Sequence, residues 1–133
     1  MIYCIEDDNG IRNLMLYTLN ASGFEAKGFE APSDFWSELA ISKPELIILD
    51  IMLPGEDGIS ILKKLRSDIA TCDIPIIMAS AKGTEYDKVL GLDLGADDYL
   101  AKPFGMMEMV SRVKTVLRRT VPKVTTVLKC GSI

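Results

Sequence analysis

Leu46-Ile47-Ile48-Leu49-Asp50-Ile51-Met52-Leu53-Pro54-Gly55 decides how the rest of the chain is read. Four consecutive apolar residues describe a buried strand, the most hydrophobic in the chain and so a central one. A carboxylate closes the run and a Pro-Gly turn follows at once. That puts Asp50 at the C-terminal lip of a strand, where open α/β sheets place reactive groups. Two other runs end in the same manner. Ile2-Tyr3-Cys4-Ile5 leads into Glu6-Asp7-Asp8, and Asp98-Tyr99-Leu100-Ala101 leads into Lys102-Pro103. An acid cluster, a lone acid and a lysine, distant in sequence, would share one edge of a parallel sheet.

Working outward, apolar runs alternate with helical periods. A helix near 10–21 carries Ile11, Leu14, Met15, Thr18 and Leu19 at i, i+3, i+4, i+7, i+8 spacing, and Gly23 stops it. Phe24–Gly28 is a short, weak strand suited to a sheet edge. Pro32 opens a helix to about Ala40 with Phe35, Trp36 and Leu39 apolar, and a helix over 57–67 carries Ile59, Leu62 and Leu65. Ile74–Ala79 is a buried strand whose Pro75 must lie near its start, because proline cannot donate to a ladder. Thr84-Glu85-Tyr86-Asp87 has the form of a capping box. The last helix shows Met106, Met109, Val110, Val113 and Leu117. Five strands and five helices in strict alternation predict a doubly wound α/β domain: a parallel five-stranded sheet, helices on both faces, right-handed crossovers. The basic, Pro-interrupted stretch Arg118-Arg119-Thr120-Val121-Pro122-Lys123 should end the last helix. Residues 1–120 therefore form one domain, and 121–133 a linker.

Bulk properties narrow the function. The chain has 133 residues, 48% of them apolar, which suits a single domain with a real core. A net charge of -4 argues against a basic nucleic-acid footprint. Cys4, Cys72 and Cys130 show neither CxxC nor metal-ligand spacing and are expected as reduced thiols of a cytoplasmic protein. The N-terminus reaches acids by position 6, unlike a signal peptide, and no apolar stretch approaches a membrane span. Histidine is absent, which excludes a Ser-His-Asp relay, a His-ligated zinc and a phosphohistidine carrier.

Carboxylates gathered at one edge resist ionising together, and an oxygen-ligated dication removes that cost. Mg²⁺ favours one or two carboxylates plus waters and phosphate oxygens. Lys102 can meet an anion at the same edge, and Ser80, which follows Ile76-Ile77-Met78-Ala79, can donate a hydroxyl to it. The bland alternatives are a solvated acidic loop, a surface lysine and a capping serine. An acid closing a fully apolar strand is poorly explained by solvation.

Ile5-Glu6-Asp7-Asp8, Leu49-Asp50-Ile51-Met52-Leu53-Pro54-Gly55, Met78-Ala79-Ser80-Ala81 and Gly95-Ala96-Asp97-Asp98-Tyr99-Leu100-Ala101-Lys102-Pro103-Phe104 together resemble the receiver (CheY-like) domain of a two-component response regulator over about residues 1–120. The resemblance implies the flavodoxin-like (βα)5 fold with strand order 2-1-3-4-5. It implies Asp50 as phosphoryl acceptor from a sensor histidine kinase. It implies Mg²⁺ held by Glu6, Asp7, Asp50 and the backbone oxygen of Met52. Ser80 becomes the switch hydroxyl, Tyr99 the switch aromatic and Lys102 the site cation, with Lys102-Pro103 cis. Such a domain is a signalling module that catalyses only its own phosphorylation and dephosphorylation.

A second resemblance, to the OmpR/PhoB-type subfamily, rests on Lys88, Asp97, Asp98, Glu108, Arg112, Arg118 and Arg119. It implies a homodimer through the fourth helix, fifth strand and fifth helix. Lys88 would pair with Glu108, Asp98 with Arg112, and Asp97 with Arg118 or Arg119; the alternative is surface pairs within one chain, such as Glu108–Arg112 at i,i+4. In that subfamily a winged-helix DNA-binding domain follows, and Val127-Leu128-Lys129-Cys130-Gly131-Ser132-Ile133 resembles its first strand, so DNA would be bound only by a domain beyond this chain. A standalone receiver acting through protein contacts is the main alternative. A Mg²⁺-dependent phosphohydrolase is disfavoured because Met52 stands where such enzymes place a second acid. A flavin module is disfavoured because Glu6-Asp7-Asp8 would repel its phosphate.

Overall fold

The computed structural model describes residues 1–81 and 85–119, with residues 85–88 as backbone only. Strands β1 (Ile2–Ile5), β2 (Ala26–Phe29), β3 (Leu46–Asp50), β4 (Ile76–Ser80) and β5 (Asp98–Ala101) alternate with helices α1 (Asn9–Ala21), α2 (Pro32–Ile41), α3 (Gly58–Ser67), α4 (Glu85–Asp93) and α5 (Met106–Arg119). The strands form one parallel sheet in the order β2-β1-β3-β4-β5. Both the doubly wound architecture and the strand order agree with the reading of the sequence.

Strand periodicity sorts the core into two layers. Tyr3, Ile5, Ile47, Leu49, Ile76 and Met78 point to one face, where Phe35 and Leu39 of α2 and Ile61, Leu62 and Leu65 of α3 cover them. Ile2, Cys4, Leu46, Ile48, Ile77 and Ala79 point to the other, beneath α1 and α5. All five β3 residues are buried. Each fully buried Ile or Leu contributes roughly 1.5–3 kcal/mol, and β1 and β4 on either side of β3 are buried throughout as well.

Several boundaries differ from expectation for local reasons. Phe24 lies outside β2 because its N–H donates to Leu19 O and closes α1. The fourth strand starts at Ile76 rather than Ile74; Pro75 still contributes through its carbonyl, which accepts from Ile47 N–H at 2.9 Å. Leu14, placed on the apolar face of the first helix, is half exposed, because the i,i+4 pair Met15 and Leu19 takes the core-facing line. Gly23 ends that helix with φ of 95°, a conformation open to glycine. Cys4 is a free, buried thiol. The expectation of three reduced thiols fails at Cys72, which is disulfide-bonded. Pairing depends on spatial approach, which cysteine spacing does not reveal. Thr84 of the capping box, Cys130 and the linker 121–133 lie outside the described residues.

Candidate functional site

Parallel pairing brings every strand's C-terminal end to one edge. Ile5 is in register with Leu49, Asp50 with Ala79, and Ser80 with Ala101. The residues just beyond are tied by backbone bonds: Glu6 N–H donates to Phe29 O (3.0 Å), Ile51 N–H to Ala79 O (3.0 Å) and Lys102 N–H to Ser80 O (2.9 Å). Glu6, Asp50, Ser80 and Lys102 therefore converge through the ladder itself.

Glu6 and Asp50 are only 2% and 4% exposed, an unusual setting for carboxylates. One oxygen each of Glu6, Asp7 and Asp50 lies within 4.8 Å of the others. Asp7 is exposed, at the open side of the cluster. Lys102 Nζ binds Glu6 Oε1 and sits 3.0 Å from Asp50 Oδ2. The Lys102-Pro103 peptide is cis, as the sequence reading anticipates. Asp50 Oδ1 accepts from Met52 N–H at 3.1 Å, which orients the carboxylate.

The electrostatics follow from burial. Desolvation raises the Glu6 carboxyl above its usual range and neighbouring Asp50 adds to this, while the bond from Lys102 pulls the other way. Burial disfavours the charged form of Lys102, but its bonds to Glu6 and Asp50 outweigh this and raise its pKa. Cys4, beneath the cluster, is pushed up to about 12 by desolvation and then by Glu6, and is no nucleophile. Three hard oxygen donors at this spacing suit Mg²⁺, and the buried excess of negative charge gives a dication something to neutralise.

Asp8 has a different task from its neighbours. It is the N-cap of α1, accepting from Ile11 N–H at 2.9 Å, and its own N–H donates to Glu6 Oε2. Three features of the site gave no signal in the sequence. Arg12 Nη1 donates to Glu6 O at 2.7 Å and braces the acid loop. Gly58 packs so closely that a Cβ there would lie 2.3 Å from Asp50 O. Glu56, six residues past Asp50, is gripped by Trp36, Ser60 and Lys64. These depend on where loops approach one another, which periodicity does not report.

Ser80 is fully buried at the end of β4, and Tyr99 is 5% exposed in the core layer under α2 and α3. Five of the residues assigned to the dimer face, Asp97, Asp98, Glu108, Arg112 and Arg118, have partners within the chain. Arg112 reaches both oxygens of Asp98 at 3.2 Å and approaches Glu108 at 3.7 Å. Arg118 Nη2 donates to Thr115 Oγ1. Arg119 is exposed at the end of α5. Asp97 immediately precedes β5, and its Oδ2 receives Arg66 Nη2 (3.0 Å) and Ile76 N–H (2.8 Å). Arg66 also donates to the carbonyls of Gly95, Cys72 and Ile74, stapling α3 to the strand starts. The side chain of Lys88 lies outside the described residues.

Comparison with known proteins agrees with this geometry. The family described as the response regulator receiver domain matches residues 2–114. The chain is 45% identical over 121 residues to the phosphate regulon transcriptional regulatory protein PhoB of Pseudomonas aeruginosa, covering 91% of this chain and 53% of that protein. It is 43% identical over 119 residues to the alkaline phosphatase synthesis transcriptional regulatory protein PhoP of Bacillus subtilis, covering 90% and 49% respectively. The chain thus spans about half the length of these curated relatives. A putative response regulator from Chloroflexus aurantiacus superposes with a TM-score of 0.83 at 33% identity, over 89% of this chain and 97% of that one. The chemotaxis protein CheY4 of Vibrio cholerae shares the fold, with a TM-score of 0.80 at 23% identity, over 86% and 96%. The chain belongs to the response regulator receiver domain family, and its relatives are of the OmpR/PhoB type.

Proposed function

We propose that this receiver, a module of phosphorylation-dependent signalling, takes a phosphoryl group on Asp50 from a sensor histidine kinase. The observation that carries the reading is the setting of Asp50: a buried carboxylate, oriented by the Met52 N–H, facing Lys102 and grouped with two further acids. Glu6, Asp7, Asp50 and the Met52 carbonyl would hold Mg²⁺. When bound, that ion supplies positive charge against phosphoryl oxygens.

Asp50 Oδ attacks phosphorus in line. A P–O bond forms as the donor's P–N bond breaks, or its P–O bond for acetyl phosphate, and the leaving group departs with the electron pair. The transition state is loose, with charge on three equatorial oxygens, so catalysis is positioning plus electrostatics. Lys102, now shared between Glu6 and Asp50, is placed to follow the new charge. The Ser80 hydroxyl, buried at the end of the next strand, would donate to it. Water attacking the same phosphorus reverses the reaction. The phosphorylated carboxylate carries about -1.5 to -2 charge. Ser80 drawn toward it would leave space for the Tyr99 ring.

The output would run through α4, β5 and α5 to a homodimer. Val89 and Leu92 on α4 expose apolar side chains between charged neighbours, which supports an interface there. Lys88–Glu108, Asp98–Arg112 and Asp97 with Arg118 or Arg119 are the pairs that dimerisation would draw on, by exchanging bonds now made within one chain. Transcription would then be controlled by a C-terminal DNA-binding domain, in keeping with the names and lengths of the relatives. We place the protein in the cytoplasm; among the described residues no helix is long and apolar enough to cross a membrane.

Acetyl phosphate with Mg²⁺ tests the reading. Intact-mass analysis should show one added phosphoryl group on the native chain and none on Asp50→Asn, and light scattering should show a shift toward dimer. Labelling of Asp50→Asn would assign the acceptor elsewhere; an unchanged monomer mass after full phosphorylation would remove the dimer.

A further inference from the structure

Between Asp50 and α3 the chain crosses a seven-residue connection, and the reaction needs the backbone of that connection held still. Its inner side is fixed by Ile51 and Leu53, which are buried in the core layer under α2 and α3. Met52, between them, is 53% exposed. The outer side is fixed at its end by Asp57, whose Oδ1 accepts from Ser60 N–H at 2.8 Å to cap α3, and before that by the Glu56 side chain. Glu56 Oε1 accepts from Trp36 Nε1 of α2 at 2.8 Å, and Glu56 Oε2 accepts from Ser60 Oγ (3.3 Å) and binds Lys64 Nζ, both on α3. Lys64 Nζ also stands 6.0 Å from the Trp36 ring centroid, so indole, ammonium and carboxylate form a closed triangle. The Trp36 ring in turn packs on fully buried Phe35 at 5.0 Å.

We infer that Glu56 is a positioning residue for phosphoryl acceptance: by tying the loop after Asp50 to α2 and α3, it sets the direction of the Met52 carbonyl and the seat of Asp50. The inference rests on the proposed function, since it assigns Glu56 a place in that same reaction. Two further observations support it. Gly58 N–H donates to Ile51 O at 2.8 Å, and the Gly58 Cα lies against the Asp50 carbonyl, so any shift of the first turn of α3 is felt at the acceptor. The bonds from Lys64, and then from Trp36, hold the Glu56 carboxyl below its usual pKa, so the clamp is fully charged at neutral pH. Glu56 touches no reacting atom. It acts as outer-shell partners do at metal sites, by aiming a group that touches the ion.

The test uses the full chain, Glu56→Ala and Glu56→Gln. Without metal, hydrogen exchange should speed up in Glu56→Ala at the amides of 51–58 and not in β1 or β5. Isothermal titration with Mg²⁺ should show affinity weakened about tenfold in Glu56→Ala and less in Glu56→Gln, which keeps an acceptor for the indole. At saturating Mg²⁺ phosphorylation by acetyl phosphate should remain slower in Glu56→Ala than in the native chain, because bound metal does not restore the seat of Asp50. A folded Glu56→Ala with native Mg²⁺ affinity and native exchange over 51–58 overturns the inference. If Glu56→Ala does not fold, Glu56→Gln and Trp36→Phe decide by the same two readouts. A native chain that takes no phosphoryl group on Asp50 defeats the parent reading instead, and the exchange data alone then decide whether the clamp exists.

Discussion

Gly58→Ala should damage both stability and phosphorylation by pressing directly on the backbone of Asp50, the proposed acceptor. A Cβ at this position would sit 2.3 Å from Asp50 O, 2.7 Å from Ile51 Cα and 2.9 Å from Asp50 C. All three contacts are backbone atoms that cannot rotate away. Reaching even 3.0 Å, the floor for real Cβ contacts, requires the strand end or α3 to move by about 0.7 Å. Overpacking of this kind costs about 3 kcal/mol, and alanine's better helix propensity returns up to about 1, leaving a net loss of about 2 kcal/mol. For a domain of this size the melting temperature should fall by about 8 °C. A misplacement of most of an ångström at a reacting group should slow acceptance from acetyl phosphate on the order of 10-fold or more. Gly28→Ala is the control. Its Cβ would also be crowded, at 2.8–2.9 Å, but by Leu16 and Arg12 side-chain atoms that can swing aside. It should cost less than about 1 kcal/mol. Calorimetry and mass-resolved phosphorylation kinetics measure both effects. A Gly58→Ala protein melting within about 2 °C of the native chain and phosphorylating at the native rate would refute the reasoning.

Arg66→Met should be among the most destabilising changes outside the core, because it removes the guanidinium from Asp97, which keeps only Ile76 N–H, and from three backbone carbonyls; a loss of about 3 kcal/mol is expected by chemical denaturation. Lys102→Met leaves Glu6 and Asp50 facing each other uncompensated, at a cost of about 3 kcal/mol, and added Mg²⁺ should raise its melting temperature more than that of the native chain. Glu6 gives a pH signature. Burial raises its folded pKa above the unfolded value, so its favourable contribution is present in acid and is lost as pH rises through the folded pKa. The melting temperature of Glu6→Gln minus that of the native chain should therefore climb from about pH 4 upward; a difference that falls with pH contradicts this assignment.

The strands were legible because buried parallel strands are short, apolar and bounded by turn residues; Leu46–Asp50 and Asp98–Ala101 were placed to the residue. The site was legible where its members end strands, as Glu6, Asp50, Ser80 and Lys102 do, because a parallel sheet carries all such ends to one edge. What escaped is what depends on packing between elements. Leu14 fits a helical stripe, yet only the rotation of α1 on the sheet leaves it in solvent. Asp97 sits beside Asp98 in the chain, but alternation along β5 and the position of α3 send it to Arg66. Glu56 and Trp36, twenty residues apart, meet only because α2 and α3 lie side by side. No composition or period encodes such meetings.

The placement of β3 between two paired neighbours on either hand has a mechanical consequence. Asp50 is bolted to the central plank of the sheet, with β1 and β4 both hydrogen-bonded to it. A new load on that residue has little chance of bending the plank. On the proposed route, displacement would pass outward instead, across β4 to β5, an edge strand with a ladder on one side only that carries Tyr99. Under the proposed phosphorylation of Asp50 the rim would yield because the centre does not, and a rigid middle would let a single modified side chain be felt at the margin.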